Sequence, residues 1–217
     1  MIIRLQQTGK RFNREWIFRN IDLEIASGEK LVALGPNGSG KSTFLQLVAG
    51  YVLPNEGTVS WSLDTNRPLA EDLVYRELSI AAPYLEVPEE LSFPELIDFH
   101  FRFKYRINGI SNDDILSISG LSAVGDRPVR QYSSGMKQRV RLVLAFCSST
   151  SLLLLDEPCS NLDAAAMEWY RQLADRFTAD RTVLVCSNHQ SAEYSFCQRQ
   201  IDLTRWKQPV REVSPFR

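Results

Sequence analysis

The nine residues Gly35-Pro36-Asn37-Gly38-Ser39-Gly40-Lys41-Ser42-Thr43 set glycines, hydroxyls and one lysine in the pattern G-x-x-x-x-G-K-[ST]. Gly35, Gly38 and Gly40 let the backbone bend so that successive N–H groups point into one concavity. A helix start directly after the loop adds free donors and a positive dipole end, which suits a polyphosphate. That chemistry is the binding of a nucleoside triphosphate, with Lys41 on the terminal phosphates and the Ser42 hydroxyl on Mg²⁺. A second constellation is Leu152-Leu153-Leu154-Leu155-Asp156-Glu157-Pro158, an apolar run ending in two adjacent carboxylates. Neighbouring residues of an extended chain point to different sides, so the pair suits two roles. Asp156 would bind Mg²⁺ beside Ser42, and Glu157 would polarise the attacking water.

Elements of defined type must hold these groups. Leu31 to Leu34 reads as a buried strand before the loop, and Thr43 to Ala49 as a helix that Gly50 ends. Residues 2–8 and 21–25 read as strands of an edge sheet, joined through a polar turn at Gly9 to Arg14. Thr58 to Trp61 and Leu78 to Ala82 read as further strands. Helix-like texture follows at Phe93 to Ile107, Ser111 to Ser117 and Ser134 to Cys147. Ser151 to Leu155 and Thr182 to Cys186 are short bounded apolar runs, as buried parallel strands require. Ala164 to Thr178 reads as helix, and a strand near Gln200 to Arg205 precedes a polar tail. In such a sheet ligands gather at the carboxyl ends of the strands, which sets Asp156 and Glu157 beside the glycine loop.

The chain has 217 residues, 44% hydrophobic and 24% charged, with a net charge of −1. These are the proportions of an ordinary soluble protein, and they argue against a general nucleic-acid surface. No apolar stretch is long enough to span a membrane, and the start MIIRLQQTGKRF is no signal peptide. Cys147, Cys159, Cys186 and Cys197 lack paired short spacing, and His100 and His189 are the only histidines. They read as reduced, mostly buried thiols of a cytosolic protein, not as a zinc site.

Taken in order, these motifs resemble the nucleotide-binding subunit of an ATP-binding cassette (ABC) protein over nearly the whole chain. Tyr132-Ser133-Ser134-Gly135-Met136-Lys137-Gln138-Arg139 resembles the family signature LSGGQ. It is a serine–glycine turn opening a helix, a second anion-binding N-terminus. The resemblance implies that Ser133, Ser134 and Gly135 contact the γ-phosphate of ATP held by a second subunit. Ser160 to Asp163 matches the loop that crosses the dimer interface, and His189 matches the histidine that hydrogen-bonds the γ-phosphate. A neutral imidazole donates one hydrogen bond and accepts another, so it can distinguish ATP from ADP. Phe12 lies where the family stacks an aromatic on adenine, with Trp16 as a competitor.

The implied fold is an α/β P-loop core of the RecA-like kind, with an antiparallel edge sheet and an inserted helical subdomain. The core would comprise about residues 1–83 and 146–217, and the insert about 84–145. The implied function is ATP hydrolysis that closes and reopens a dimer, a homodimer or a pair with a related ATPase subunit. It would drive a separate integral-membrane transporter subunit, export being slightly favoured through SSGMKQR. The alternative is a soluble mechanical ATPase of the same family. The chain would lie in the cytoplasm, peripheral to the cytoplasmic membrane face, with ATP and Mg²⁺ as ligands and no nucleic acid. One motif departs from the family pattern: where a glutamine is usual, Ile80-Ala81-Ala82-Pro83-Tyr84 offers Tyr84 or Pro83. A neutral tyrosine is a poor Mg²⁺ ligand, so either water completes the coordination or coupling differs. In Phe99 to Arg106 aromatic and basic residues alternate, as in a base-stacking strand. Helical spacing is favoured instead, with Leu96, Phe99, Phe103 and Ile107 on a buried face and Phe101 and Tyr105 exposed opposite.

Overall fold

The computed structural model describes residues 1–207 apart from residues 66 and 125. Strands β1 (Ile2–Phe12) and β2 (Glu15–Ile25) form a hairpin, and β3 (Lys30–Leu34) leads into helix α1 (Lys41–Val48). Next come β4 (Glu56–Asp64), β5 (Arg67–Leu69), α2 (Val74–Glu77) and β6 (Leu78–Ala81). Helices α3 (Phe93–His100), α4 (Asn112–Ser119) and α5 (Ser134–Cys147) lie between β6 and β7 (Leu152–Asp156). The chain continues through α6 (Ala164–Phe177), β8 (Thr182–Ser187) and β9 (Arg199–Asp202).

Two sheets result. An antiparallel sheet has the order β2-β1-β4-β5, and a five-stranded parallel sheet the order β6-β7-β8-β3-β9. The inner strands β3, β7 and β8 of the parallel sheet are buried on both faces, which is why they read as apolar runs. Val32, Leu153, Leu155, Val183 and Val185 face a cluster containing α3, α5 and α6 side chains. The alternate residues Leu31, Ala33, Leu152, Leu154 and Leu184 face α1 and the antiparallel sheet. Strand periodicity thus sorts one continuous run into two cores. The C-terminal carbonyls of α5 are met by buried Arg181, whose guanidinium donates to Phe146 O at 3.0 Å. Burial lowers its pKa to about 10. A cation at a helix C-terminus also opposes the negative dipole end.

Several sequence expectations need correction. The hairpin turn is only Asn13-Arg14, with Asn13 at φ 54°, so β1 runs on through Phe12. Helix α1 starts at Lys41, two residues earlier than expected, and β9 ends at Asp202 before a 3₁₀ turn over Leu203–Trp206. The polar tail beyond residue 207 lies outside the described residues. The helix expected over Phe93 to Ile107 stops at His100. Beyond it, Ile107 N–H donates to Cys147 O at 3.0 Å and Ser149 N–H to Tyr105 O at 2.8 Å, so tertiary pairing replaces helix. The expected faces hold only in part: Leu96 is buried and Ile107 packs against the core, but three of the aromatics depart from them. Phe103 is 73% and Phe99 42% exposed, whereas Phe101 packs partly buried against the core and only Tyr105, at 86%, is exposed as expected.

Candidate nucleotide site

Strand β3 delivers the glycine loop at its carboxyl end, and α1 receives it. Gly40 sits at the helix N-cap with φ 97° and no side-chain cap bond, so the first-turn N–H groups are left for a ligand. A Cβ on Gly40 would strike Ile17, and one on Gly35 would strike Ser39. These two positions are therefore closed to any side chain, and Gly38, at φ 76°, favours glycine for its backbone alone. Lys41 is 5% exposed and folds back into the loop. Its Nζ donates to Gly35 O at 2.9 Å and Pro36 O at 3.2 Å, and stands 3.4 Å from Glu157 Oε1. Pro36 and Asn37 are exposed at the rim, and Ser42 and Thr43 are half-buried on the first turn. The Ser39 hydroxyl is buried without a hydrogen-bond partner among the described residues.

Strand order brings the other groups here. β8 lies between β7 and β3, with Asp156 opposite Cys186 and Leu34 opposite Ser187. Asp156 is 2% exposed and its Oδ1 has no hydrogen-bond partner among the described residues. Burial raises its pKa, the Ser42 hydroxyl lowers it by hydrogen bonding, and the Glu157 charge raises it. An orphaned buried carboxylate oxygen and a serine hydroxyl are the oxygen donors a hard cation takes. Glu157 is half-buried, with φ 43°, and its N–H donates to Cys186 O at 2.9 Å. His189 is exposed on the turn after β8, at φ 58°, and that turn is closed by Gln190 N–H donating to Ser187 Oγ at 3.2 Å. Non-glycine residues at positive φ are uncommon and concentrate where function demands them.

Phe12 and Trp16 part company. Arg11 and Arg19 lie over the Trp16 ring, 5.4 and 4.7 Å from its centroid, whereas Phe12 is 48% exposed with Lys10 at 5.2 Å. Phe12 has the freer face. At the departing motif, Pro83 is exposed and the Tyr84 phenol lies near the Gln46 side chain of α1. Burial raises the Tyr84 pKa and the Asp156 charge adds to it, so the phenol stays neutral.

The serine–glycine turn lies apart from the glycine loop. Ser133 caps α5 by accepting from Met136 N–H at 3.3 Å, and Ser133 and Ser134 are exposed. A Cβ on Gly135 would stand 2.9 Å from Asn161 O, so the turn and the Ser160 to Asp163 loop fit through glycine. Together they line a cleft of about 290 Å³ to which no residue of the glycine loop contributes. Buried Gln138 ties the same helix to the acidic strand, its Nε2 donating to Pro158 O at 2.9 Å. Sequence reasoning gave Gln138 no role of its own, and it missed Gln46 and Glu193 altogether. Glu193 follows His189 in a polar stretch, where nothing in the sequence signals that it is 1% exposed.

Comparison with known proteins fits this geometry. The ABC transporter family matches residues 18–160. The lantibiotic transport ATP-binding protein SrtF of Streptococcus pyogenes is 27% identical over 195 residues, covering 88% of this chain and 82% of that protein. The Fe(3+) ions import ATP-binding protein FbpC of Vibrio cholerae is 32% identical over 198 residues, covering 88% of this chain. There the chain spans about half of its relative, 55% of the length. Among solved structures, the cassette MJ0796 in a dimeric post-hydrolysis state bound to ADP and Pi superposes with a TM-score of 0.75. It is 25% identical and covers 92% of this chain and 93% of that one. The chain belongs to the ABC transporter family and is one of its ATP-hydrolysing cassettes.

Proposed function

We propose that the chain is the ATP-binding and hydrolysing subunit of an ABC transporter, working as a dimer with two composite sites. One observation carries the reading: Lys41, Asp156 and Glu157 converge at one end of the parallel sheet, while the serine–glycine turn stands apart in its own cleft. The half-site in one subunit is then completed by the turn of another. In this reading the N–H groups of Gly35 to Thr43 cradle the phosphates of ATP, Lys41 reaches the terminal ones and Phe12 stacks on adenine. Ser42 and Asp156 hold Mg²⁺, which when bound neutralises phosphate charge. Glu157 accepts a proton from the attacking water, and His189 contacts the γ-phosphate. Ser133, Ser134 and Gly135 contact it from the partner subunit. Residues 1–83 and 146–207 then act as the core that holds ATP, and 84–145 as the helical arm that moves against it.

Dimer closure is testable on the arm. Ser134→Arg should leave nucleotide affinity of the monomer unchanged and abolish the ATP-dependent dimer on size exclusion. Equal damage to both would mean that the turn acts within its own subunit.

A membrane partner would dock where the arm meets the core, and the supporting feature is a cleft of about 310 Å³ lined by Tyr51, Tyr75, Leu85, His100, Lys104 and Arg141. Among the described residues no helix is long and apolar enough to cross a membrane. In this reading the spanning part is a separate subunit, with the chain on the cytoplasmic face. Exposed Phe99, Phe103 and Tyr105 lie on the same arm and suit an interface better than water. Tagged chain purified from detergent-solubilised membranes should bring down an integral-membrane protein whose reconstitution raises the ATPase rate. Recovery of ribosomes or nucleic acid instead would favour a mechanical ATPase.

A further inference from the structure

The loops carrying Glu157 and His189 both hold a non-glycine residue in the left-handed region, at φ 43° and 58°. Such conformations persist only where the surroundings over-determine them. One buried residue touches both loops. Glu193, 1% exposed, lies on the 3₁₀ turn Ser191–Glu193, and its Oε1 accepts from Cys159 N–H at 3.1 Å, two residues past Glu157. Glu193 N–H donates to Gln190 O at 2.9 Å, and Gln190 N–H donates in turn to Ser187 Oγ at 3.2 Å, closing the turn that contains His189. Tyr170 OH fixes the Glu193 backbone by donating to its carbonyl at 2.8 Å.

A packing role does not account for an acid here. Oε2 is buried with no hydrogen-bond partner among the described residues, and the neighbouring charges are Glu157 and Asp156, which repel it. Burying a carboxyl in such a place is costly unless its acceptor oxygens are needed.

We propose that Glu193 is a positioning residue for hydrolysis, its carboxyl joining the Cys159 N–H to the Ser187–Gln190 turn so that Glu157 and His189 are held as one unit. The inference rests on the reading of Glu157 and His189 as the hydrolytic pair. The chemistry asks for an acceptor at Oε1. Without it the Cys159 N–H is orphaned inside the protein, the loop of Glu157 loses its tie to the turn of His189, and each relaxes by itself. Burial, with smaller help from Glu157 and Asp156, raises the Glu193 pKa to about 7, and Oε1 accepts from Cys159 in either protonation state. Glutamine can therefore stand in, offering its carbonyl to Cys159. Methionine has the volume but no such acceptor.

The test uses the full chain with MgATP. Glu193→Met should lower kcat about tenfold to a hundredfold, as misplacement of reacting groups does, with KM for ATP nearly unchanged. Glu193→Gln should restore turnover to near wild type. Ser187→Ala, which opens the turn to which Glu193 is bound through Gln190, should repeat the kcat-specific loss and covers the case in which Glu193→Met does not fold. Glu157→Gln and His189→Ala run alongside. If both of these keep wild-type turnover, the hydrolytic assignment itself is wrong. If they lose it while Ser187→Ala keeps wild-type kcat, or Glu193→Gln fails to restore it, the positioning role of Glu193 is overturned.

Discussion

Glu157→Gln should bind ATP as well as the wild type or better and hydrolyse it about a thousandfold more slowly. The amide keeps the size and shape of the acid but cannot take a proton from water. Affinity should not suffer, because the lost charge lies 3.4 Å from Lys41 Nζ in the nucleotide-free chain and competes with phosphate for it. The backbone at φ 43° treats glutamine no worse than glutamate, since the strain arises at Cβ. With hydrolysis blocked, an ATP-bound dimer should accumulate and appear on size exclusion at twice the mass. Single-turnover phosphate release gives the rate. A variant that hydrolyses at the wild-type rate would remove Glu157 from the role of base, and one that fails to bind ATP would show that the acid shapes the pocket.

What the sequence disclosed and what it hid differ in physical kind. Gly35 to Thr43 and Leu152 to Glu157 were legible because backbone geometry dictates their residue types locally. A phosphate loop admits no Cβ at Gly35 or Gly40, and a strand buried on both faces must be apolar throughout. The two faces of that strand were not legible, since an all-leucine run carries no period. Phe99 to Arg106 was misread for the opposite reason. Its helical spacing is real, but Lys104 turns inward to donate to Leu78 O at 2.8 Å and to Tyr75 O, and the chain then pairs with residues 147–149. Contacts made far along the chain override local periodicity. Glu193 was hidden likewise. A glutamate in a polar turn reads as solvated, and only the packing of β7, β8 and α6 shows that its carboxyl is enclosed.

Lys41→Ala should weaken MgATP binding about a hundredfold or more while the fold remains intact. A charge-assisted hydrogen bond to phosphate contributes roughly 1.5–3 kcal/mol, where 1.4 kcal/mol is tenfold, and Lys41 has more than one N–H to offer. Lys41 begins α1, and alanine is the better helix former, so the helix itself loses nothing. The carbonyls that Lys41 now engages include that of Pro36, an exposed residue within reach of water. A second cation offers an internal comparison. Lys207 Nζ stands 3.4 Å from Gly38 O, but it is exposed, and salt screens an exposed charge far more than a buried one. Lys207→Ala should therefore change affinity only slightly. Fluorescent-nucleotide titration distinguishes the two, and Lys41→Ala should weaken ATP more than ADP because its partner is the terminal phosphate. Unchanged affinity in Lys41→Ala would sink the phosphate-loop assignment. An equal loss in Lys207→Ala would mean that general positive charge, not the buried lysine, holds the nucleotide.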